Sequence, residues 1–324
     1  MIDRPETAAG RGYTFLASSP YSGSTLLSFL LASHPNVTTI SDVSGRRRAG
    51  QIDTFRCSCG RLMQSCPFWS DLRERAADRG FGELDLADFR LGFDTAQRGP
   101  MAAIQARSLR WPVAERLRDR MLAPLGVASA MRDVGVRSWA LANAVMDLTQ
   151  ADVFVDASKE RLRIRYLERY LPVRPRVIHL VRDVRGVVES TLRRGKRDDP
   201  IGKLAREWAR TNASIEQQVR ELPADRQLRI RYEDLCRDVT GTLRRAFAFM
   251  GVDPEAELQP IGQEQHMLGN QMRLSAPTDV RLDERWRTAL PTDQAGAILR
   301  AAQPVFGQLY PEEGAPPAGS SSRA

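Results

Sequence analysis

The sequence predicts an α/β fold, a parallel sheet with helices on both faces and an inserted helical lobe. Three observations lead there. Within 151–250, short apolar runs suited to buried strands alternate with amphipathic helical patterns. A separate strand–loop–helix unit, FLASSPYSGSTLLSFLLASHP, runs from Phe15 to Pro35. Between them, from about 46 to 150, amphipathic patterns recur with no clear strand. A chain of 324 residues with 42% hydrophobic composition suits one large α/β domain with an inserted lobe, or two domains. It is read here as one domain, 1–324.

Tyr13 to Ser18 reads as a buried strand. Thr25 to Ser33 is a helix, with Leu26, Leu27, Leu30 and Leu31 at helical spacing and Pro35 past its end. Val37 to Ile40 is a second short strand. The lobe carries Trp69, Phe81 and Trp111. Val153 to Val155 is a strand, and Glu160 to Leu171 a helix with Leu162, Tyr166, Leu167 and Tyr170 on one face. Arg176 to Val181 is a strand, Val184 to Arg194 a helix, and Ile201 to Leu222 a longer helix containing Trp208. Gln227 to Arg231 is a strand, followed by a helix to Met250 that Gly251 stops. Residues 1–11 and the Gly/Pro/Ser-rich tail, about 312–324, are expected to be disordered. No internal repeat is found.

No apolar run approaches the ~20 residues that span a bilayer. The start, MIDRPETAAGRGY, lacks the apolar stretch of a secretory signal, so a cytoplasmic protein is expected. The net charge is +8, and only three basic residues are Lys. Arginine dominance suits bidentate recognition of phosphate or sulfate, although GC-rich coding produces the same bias. From Lys159 to Arg197 there are thirteen Lys or Arg against four acids. An anion bound nearby is one reading, and solvated helix faces account for part. No DNA or RNA module is recognisable, and aromatics do not interleave the basic run.

Ser18 to Thr25, SSPYSGST, has the parts of an anion cradle. Gly23 allows close backbone approach, Ser22, Ser24 and Thr25 carry hydroxyls, and a helix starts at once. It is not a Walker A loop, because the first Gly and the Lys are missing. A plain helix-capping turn would look similar.

Four further stretches follow in order: VFVDASKERLRIRYL, RVIHLVRDVRGVVES, LRIRYEDL and HMLGNQMRL. With SPYSGSTLL, over about 13–43 and 151–290, they resemble the sulfotransferases that use 3′-phosphoadenosine 5′-phosphosulfate (PAPS). The likeness is to the bacterial branch, which is similar to tyrosylprotein and carbohydrate sulfotransferases. It implies a P-loop-like sheet. It also implies that Ser22, Gly23, Ser24 and Thr25 bind the 5′-phosphosulfate, that Arg182 and Ser190 bind the 3′-phosphate, and that Tyr232 lies near the adenine. Gly269, Asn270 and Arg273 match a segment that closes over the cofactor. PAPS has an anion at each end, so two strand–loop–helix units on one sheet edge suit it.

Tyr21 departs from the family, which has Lys or Arg there to stabilise the leaving phosphate. A phenol donates a hydrogen bond but no full charge. The cation is expected from elsewhere: Lys159, Arg273, or one of Arg46, Arg47 and Arg48. A slower enzyme relying on Tyr21, or a protein that binds nucleotide without transfer, also fits. The branch often places a Glu after the first helix, and Asp42 in TTISDVSG is the corresponding candidate base or a turn residue.

Of the histidines, His34 ends a helix and His179 is expected to be a satisfied core residue. His266 is a candidate to touch the cofactor. Cys57, Cys59 and Cys66 in RCSCGRLMQSCPFW could bind zinc, but no fourth ligand is local and Cys236 is far along the chain. Unpaired thiols or a disulfide are favoured over zinc, with a role in shaping the acceptor pocket. The expected function is transfer of a sulfuryl group from PAPS to a hydroxyl, or an amine, by in-line displacement with no metal. The acceptor is a small molecule, glycan, lipid or peptide. The alternatives are a silent nucleotide-binding protein, a P-loop kinase or NTPase, and a nucleic-acid-binding protein.

Overall fold

Residues 12–18, GYTFLAS, are buried along their whole length, as a strand covered on both faces must be. In the computed structural model this strand, β1 (Gly12–Ser18), is central to a five-stranded sheet. The structure describes residues 5, 7–8, 10–43, 51–93, 112–122, 126–194, 199–262, 265–269, 271–275 and 279–314. The other strands are β2 (Val37–Ser41), β3 (Val153–Asp156), β4 (Arg176–Val181) and β5 (Gln227–Arg231). Their order is β2-β3-β1-β4-β5, and every pair is parallel. The expected α/β sheet is therefore present.

The pleat divides the core. Tyr13, Phe15 and Ala17 face one side, with Phe154 and Val177. Leu16 faces the other, with Val155, Ile178, Leu180 and Ile230. On that second side lie α1 (Ser24–Leu31) and, later in the chain, the residues up to Met250. Between β2 and β3 the described residues form α2 (Pro67–Asp78), α3 (Pro112–Leu122) and α4 (Val127–Thr149), with no strand. Their apolar side chains, Trp69, Phe89 and Leu141 among them, are buried in the same core as β1. Trp111 and residues 44–50 lie outside the described residues.

After β3 comes α5 (Arg163–Tyr170), which starts three residues later than the periodicity suggests. Arg163 is fully buried and is drawn back to Asp156. Next are α6 (Val184–Arg193) and α7 (Ile201–Val219), the latter three residues shorter than expected. The single helix expected up to Met250 is two, α8 (Tyr232–Arg237) and α9 (Val239–Met250). They separate at Asp238, which leaves helical geometry (φ −139°, ψ 82°) and accepts a hydrogen bond from the Gly241 amide. Four short helices were not anticipated: α10 (Trp286–Ala289), α11 (Thr292–Ala302), α12 (Val305–Leu309) and α13 (Pro311–Gly314). Phe306 and Leu309 bury against Trp208 and Val188. Residues 315–324 lie outside the described residues. Among those described, no helix is long and apolar enough to cross a membrane.

Candidate active site

The loops that leave the carboxyl edges of β1, β3 and β4 meet beside the start of α1. This is where open parallel sheets bind ligands. The β1–α1 loop is tightly wound, with Tyr21 (φ 63°) and Gly23 (φ 92°) both left-handed. Gly23 precedes α1, whose first turn has no side-chain cap. The Ser19 and Ser22 hydroxyls are 2.6 Å apart, and Ser22 is fully buried.

Asp156 organises the loop after β3. It accepts from the Tyr13 hydroxyl (2.7 Å), the Ser158 amide (2.9 Å) and hydroxyl (2.6 Å), and Arg163 Nε (2.6 Å). The chain then turns so that Lys159 Nζ donates to Ser18 Oγ at 2.9 Å and to the Ala157 carbonyl at 3.0 Å. Its ammonium therefore stands at the carboxyl edge of β1.

Arg182, just beyond β4, is almost fully buried. Its Nη1 donates to the Tyr21 carbonyl (3.2 Å) and to Ser190 Oγ (3.3 Å). Its Nη2 reaches the carbonyl (3.0 Å) and the carboxylate (3.3 Å) of Asp283. The guanidinium lies over the Tyr232 ring, 4.5 Å from its centroid. Hydrogen bonds from Arg285, with the charge of Arg182, hold the Asp283 carboxyl below the usual carboxylate range. The adjacent acids are otherwise engaged. Asp183 caps α6 and pairs with Arg185, and Glu189 pairs with Arg193. Burial raises the Tyr232 phenol above its ordinary value.

From the β2 side, the Leu268 amide donates to the Ile40 carbonyl (2.9 Å). This brings Gly269 (φ 116°) over Thr25 and Ser41, 3.9 and 3.7 Å from where its missing Cβ would be. Arg273 braces that turn, donating to the carbonyls of Gly269 and Arg56, each at 2.9 Å. Asn270 and Arg46, Arg47 and Arg48 lie outside the described residues.

Among the clefts along the loop, two meet at Tyr21, Ser24 and Thr25. The larger, about 420 Å³, is lined by Tyr21, Ser24, Thr25, Asp42, Lys159 and Gly269, among others. The smaller, about 230 Å³, is lined by Gly23, Arg182, Ser190 and Tyr232, and shares Tyr21, Ser24 and Thr25 with the first. Ser22 and Arg273 line neither. Phe55, Arg161, Glu207 and Arg210 line the larger cleft and were not anticipated. Glu207, Arg210 and Thr211 sit at i, i+3 and i+4 on the predicted α7, a polar face legible in the sequence. Which side of the sheet that face meets was not.

Among the described residues of the basic stretch, several arginines are paired within the fold. Arg163 pairs with Asp156 and Glu160, Arg165 with Glu115 and Asp119, and Arg182 with Asp283. His179 is held between Glu216 (2.7 Å) and Asn212 (3.0 Å), and His34 by the Asp253 carbonyl (2.9 Å). Both are satisfied core groups. His266 lies away from the clefts, against Cys57 and Cys66.

Comparison with known proteins gives three results. The profile described as the Sulfotransferase family matches residues 75–256, which include Lys159, Arg182, Ser190 and Tyr232 but not the β1–α1 loop. No curated protein gives a match. Among solved structures, the sulfotransferase domain of the Synechococcus PCC 7002 olefin synthase shares 22% identity, with a TM-score of 0.51 over 93% of this chain and 97% of that one. The sulfotransferase domain from the curacin biosynthetic pathway shares 20%, with a TM-score of 0.47 over 93% and 98%. The first of these shows a common fold.

Proposed function

The chain belongs to the sulfotransferase family, and from that premise we propose that it moves a sulfuryl group from PAPS to a hydroxyl, or an amine, by in-line displacement. One observation carries the reading. Tyr21, Ser24 and Thr25 line both clefts, with the Arg182–Ser190 pair on one side and Lys159 on the other. A nucleotide with phosphate at both ends needs two anion sites joined in this way.

In this reading Arg182 and Ser190 hold the 3′-phosphate and Tyr232 flanks the adenine. Ser22, Gly23, Ser24 and Thr25, with the start of α1, hold the 5′-phosphosulfate. Gly269, braced by Arg273, closes over it, with Asn270 next in the chain. Asp42 accepts the acceptor's proton as its oxygen bonds to sulfur and the bond from sulfur to the phosphate oxygen breaks. Adenosine 3′,5′-bisphosphate leaves. Lys159 supplies the positive charge that Tyr21 lacks, and Tyr21 adds a hydroxyl donor. A missing donor of this type costs ~10²–10³ in rate, so the position of Lys159 matters. These roles require no metal. The acceptor enters the larger cleft, where Phe55 offers an apolar wall and Arg161 and Arg210 offer charge.

The test is release of adenosine 3′,5′-bisphosphate from PAPS, followed by chromatography with a panel of hydroxyl and amine acceptors. Acceptor-dependent release supports the reading. Tight nucleotide binding with no turnover for any acceptor would favour the silent binder that Tyr21 permits. Magnesium-dependent ATP hydrolysis without PAPS turnover would favour an NTPase.

A further inference from the structure

Cys57, Cys59, Cys66 and His266 converge although His266 is 200 residues from Cys66. Their ligand atoms all lie within 4.8 Å of one another. Sγ of Cys57 and of Cys66 are 3.4 and 3.5 Å from His266 Nδ1, and the sulfurs of Cys59 and Cys66 are 3.6 Å apart. Zinc bonds of ~2.3 Å to sulfur and ~2.0 Å to nitrogen, set tetrahedrally, place sulfurs roughly 3.8 Å apart and sulfur roughly 3.5 Å from nitrogen. The cluster thus has the dimensions of a tetrahedral Cys₃His site.

The surrounding structure is shaped for the same end. Arg56 and Leu62 form an antiparallel bridge, and at its tip the Cys57 amide donates to the Arg61 carbonyl (2.9 Å). The Gly60 amide returns to the Cys57 carbonyl (2.9 Å), with Gly60 left-handed at φ 83°. This tight turn aims Cys57 and Cys59 toward Cys66, which precedes α2. Phe68 stacks on the His266 ring at 4.4 Å and 7°, fixing its plane. The Trp69 indole nitrogen, three residues after Cys66, is fully buried without a hydrogen-bond partner. Cys57 and Cys66 are buried and all four cysteines of the chain are free thiols, with Cys236 outside the cluster.

We propose that Cys57, Cys59, Cys66 and His266 bind one zinc ion in a closed, structural site that fastens the 55–66 segment to the 265–269 segment. Soft thiolates in tetrahedral array select zinc, and four protein ligands leave no open position for chemistry. Each Cys loses a proton on binding, so three thiolates and one neutral imidazole surround the ion. Ser58 forms a second tie between the same segments, accepting from the Met267 amide (2.7 Å) and donating to the Gln265 carbonyl. Phe55 and Gly269 both line the larger cleft, so the ion holds one of its walls. Zinc thereby replaces the unpaired-thiol reading of the cysteine motif. The fourth ligand was not local in sequence because the fold delivers it from beyond β5.

The experiment is metal analysis of the full chain purified without chelator, for wild type, Cys236→Ser, Cys66→Ser and His266→Cys. About one zinc per chain is expected in wild type and Cys236→Ser, with His266→Cys retaining it as a four-cysteine site. Cys66→Ser is expected to lose at least about nine-tenths of it, since one of four ligands is gone. Cobalt substitution of wild type gives a second readout that needs no variant: intense visible bands and a thiolate charge-transfer band mark tetrahedral sulfur ligation. The proposal is overturned if folded wild type carries no stoichiometric zinc and takes up neither zinc nor cobalt, or if Cys59 and Cys66 are recovered as a disulfide. Zinc content equal in wild type and Cys66→Ser would also overturn it.

Discussion

Gly23 lies directly beneath the ring of Tyr232, 209 positions later: a Cβ at Gly23 would stand 2.6 Å from Cδ2 of that ring. The β1–α1 loop and the start of α8 therefore fit only because residue 23 has no side chain and can adopt φ 92°. Gly23→Ala is expected to cost ~1–3 kcal/mol of stability and to weaken adenosine 3′,5′-bisphosphate binding. Adding Tyr232→Ala removes the clash but not the backbone strain or the lost ring. Thermal unfolding should show partial recovery in the double variant, while calorimetry shows none.

Asp283 holds the Arg182 guanidinium, so in the proposed function it competes with the 3′-phosphate for Arg182. Asp283→Asn removes a like charge from the proposed 3′-phosphate site, so binding should tighten by about five-fold, the equivalent of ~1 kcal/mol. Unchanged or weaker binding would show that Asp283 orients Arg182 instead. The Asp283 carboxyl is held below its ordinary value, chiefly by hydrogen bonds from Arg285. The sign follows: the ion pair stabilises fully above the ordinary Asp value of ~3.9 and is lost as pH falls through the depressed one. The stability difference between wild type and Asp283→Asn should therefore be constant between pH 5 and 8 and shrink only in acid, as wild type loses the ion pair.

Lys159→Met is expected to lower kcat by ~10²–10³ with little change in the KM for PAPS. Tyr21→Lys in that background should recover part of the loss, because it returns the cation to the place the family usually has it. Steady-state kinetics on the same acceptor decide this. No loss in Lys159→Met, with an intact fold, would move the catalytic charge to Arg161 or Arg210.

The Asp156–Arg163 pair is fully buried on both sides. Removing one partner strands a charge in the core, so Arg163→Ala should cost ~3–5 kcal/mol in denaturant unfolding. The position of Lys159 depends on the same loop, and activity should fall with stability. A loss under about 1 kcal/mol would contradict this role for Asp156.

Much of this was legible in the sequence. The runs of Tyr13, Phe15 and Leu16 and of Val177 to Val181 are apolar on both faces, and their buried positions follow from that. Gly23, Arg182, Ser190 and Tyr232 stood in recognisable order. Relationships set by tertiary approach were not legible. Arg182 pairs with Asp283, not with its neighbours Asp183 or Glu189, because α6 capping and Arg193 occupy those. His266 was a candidate to touch the cofactor, and the turn beside Ile40 carries it to the cysteines. The helices after Trp286 lacked long periodicity, and their apolar residues found partners only in the tertiary fold, against α6 and α7.

The most direct measurement is calorimetric titration of adenosine 3′,5′-bisphosphate into wild type and Arg182→Ala. A wild-type Kd on the order of micromolar is predicted, weakened at least about ten-fold in the variant by loss of a charged hydrogen-bond donor. No binding to folded wild type, or equal binding to both proteins, would contradict the nucleotide site on which the whole account rests.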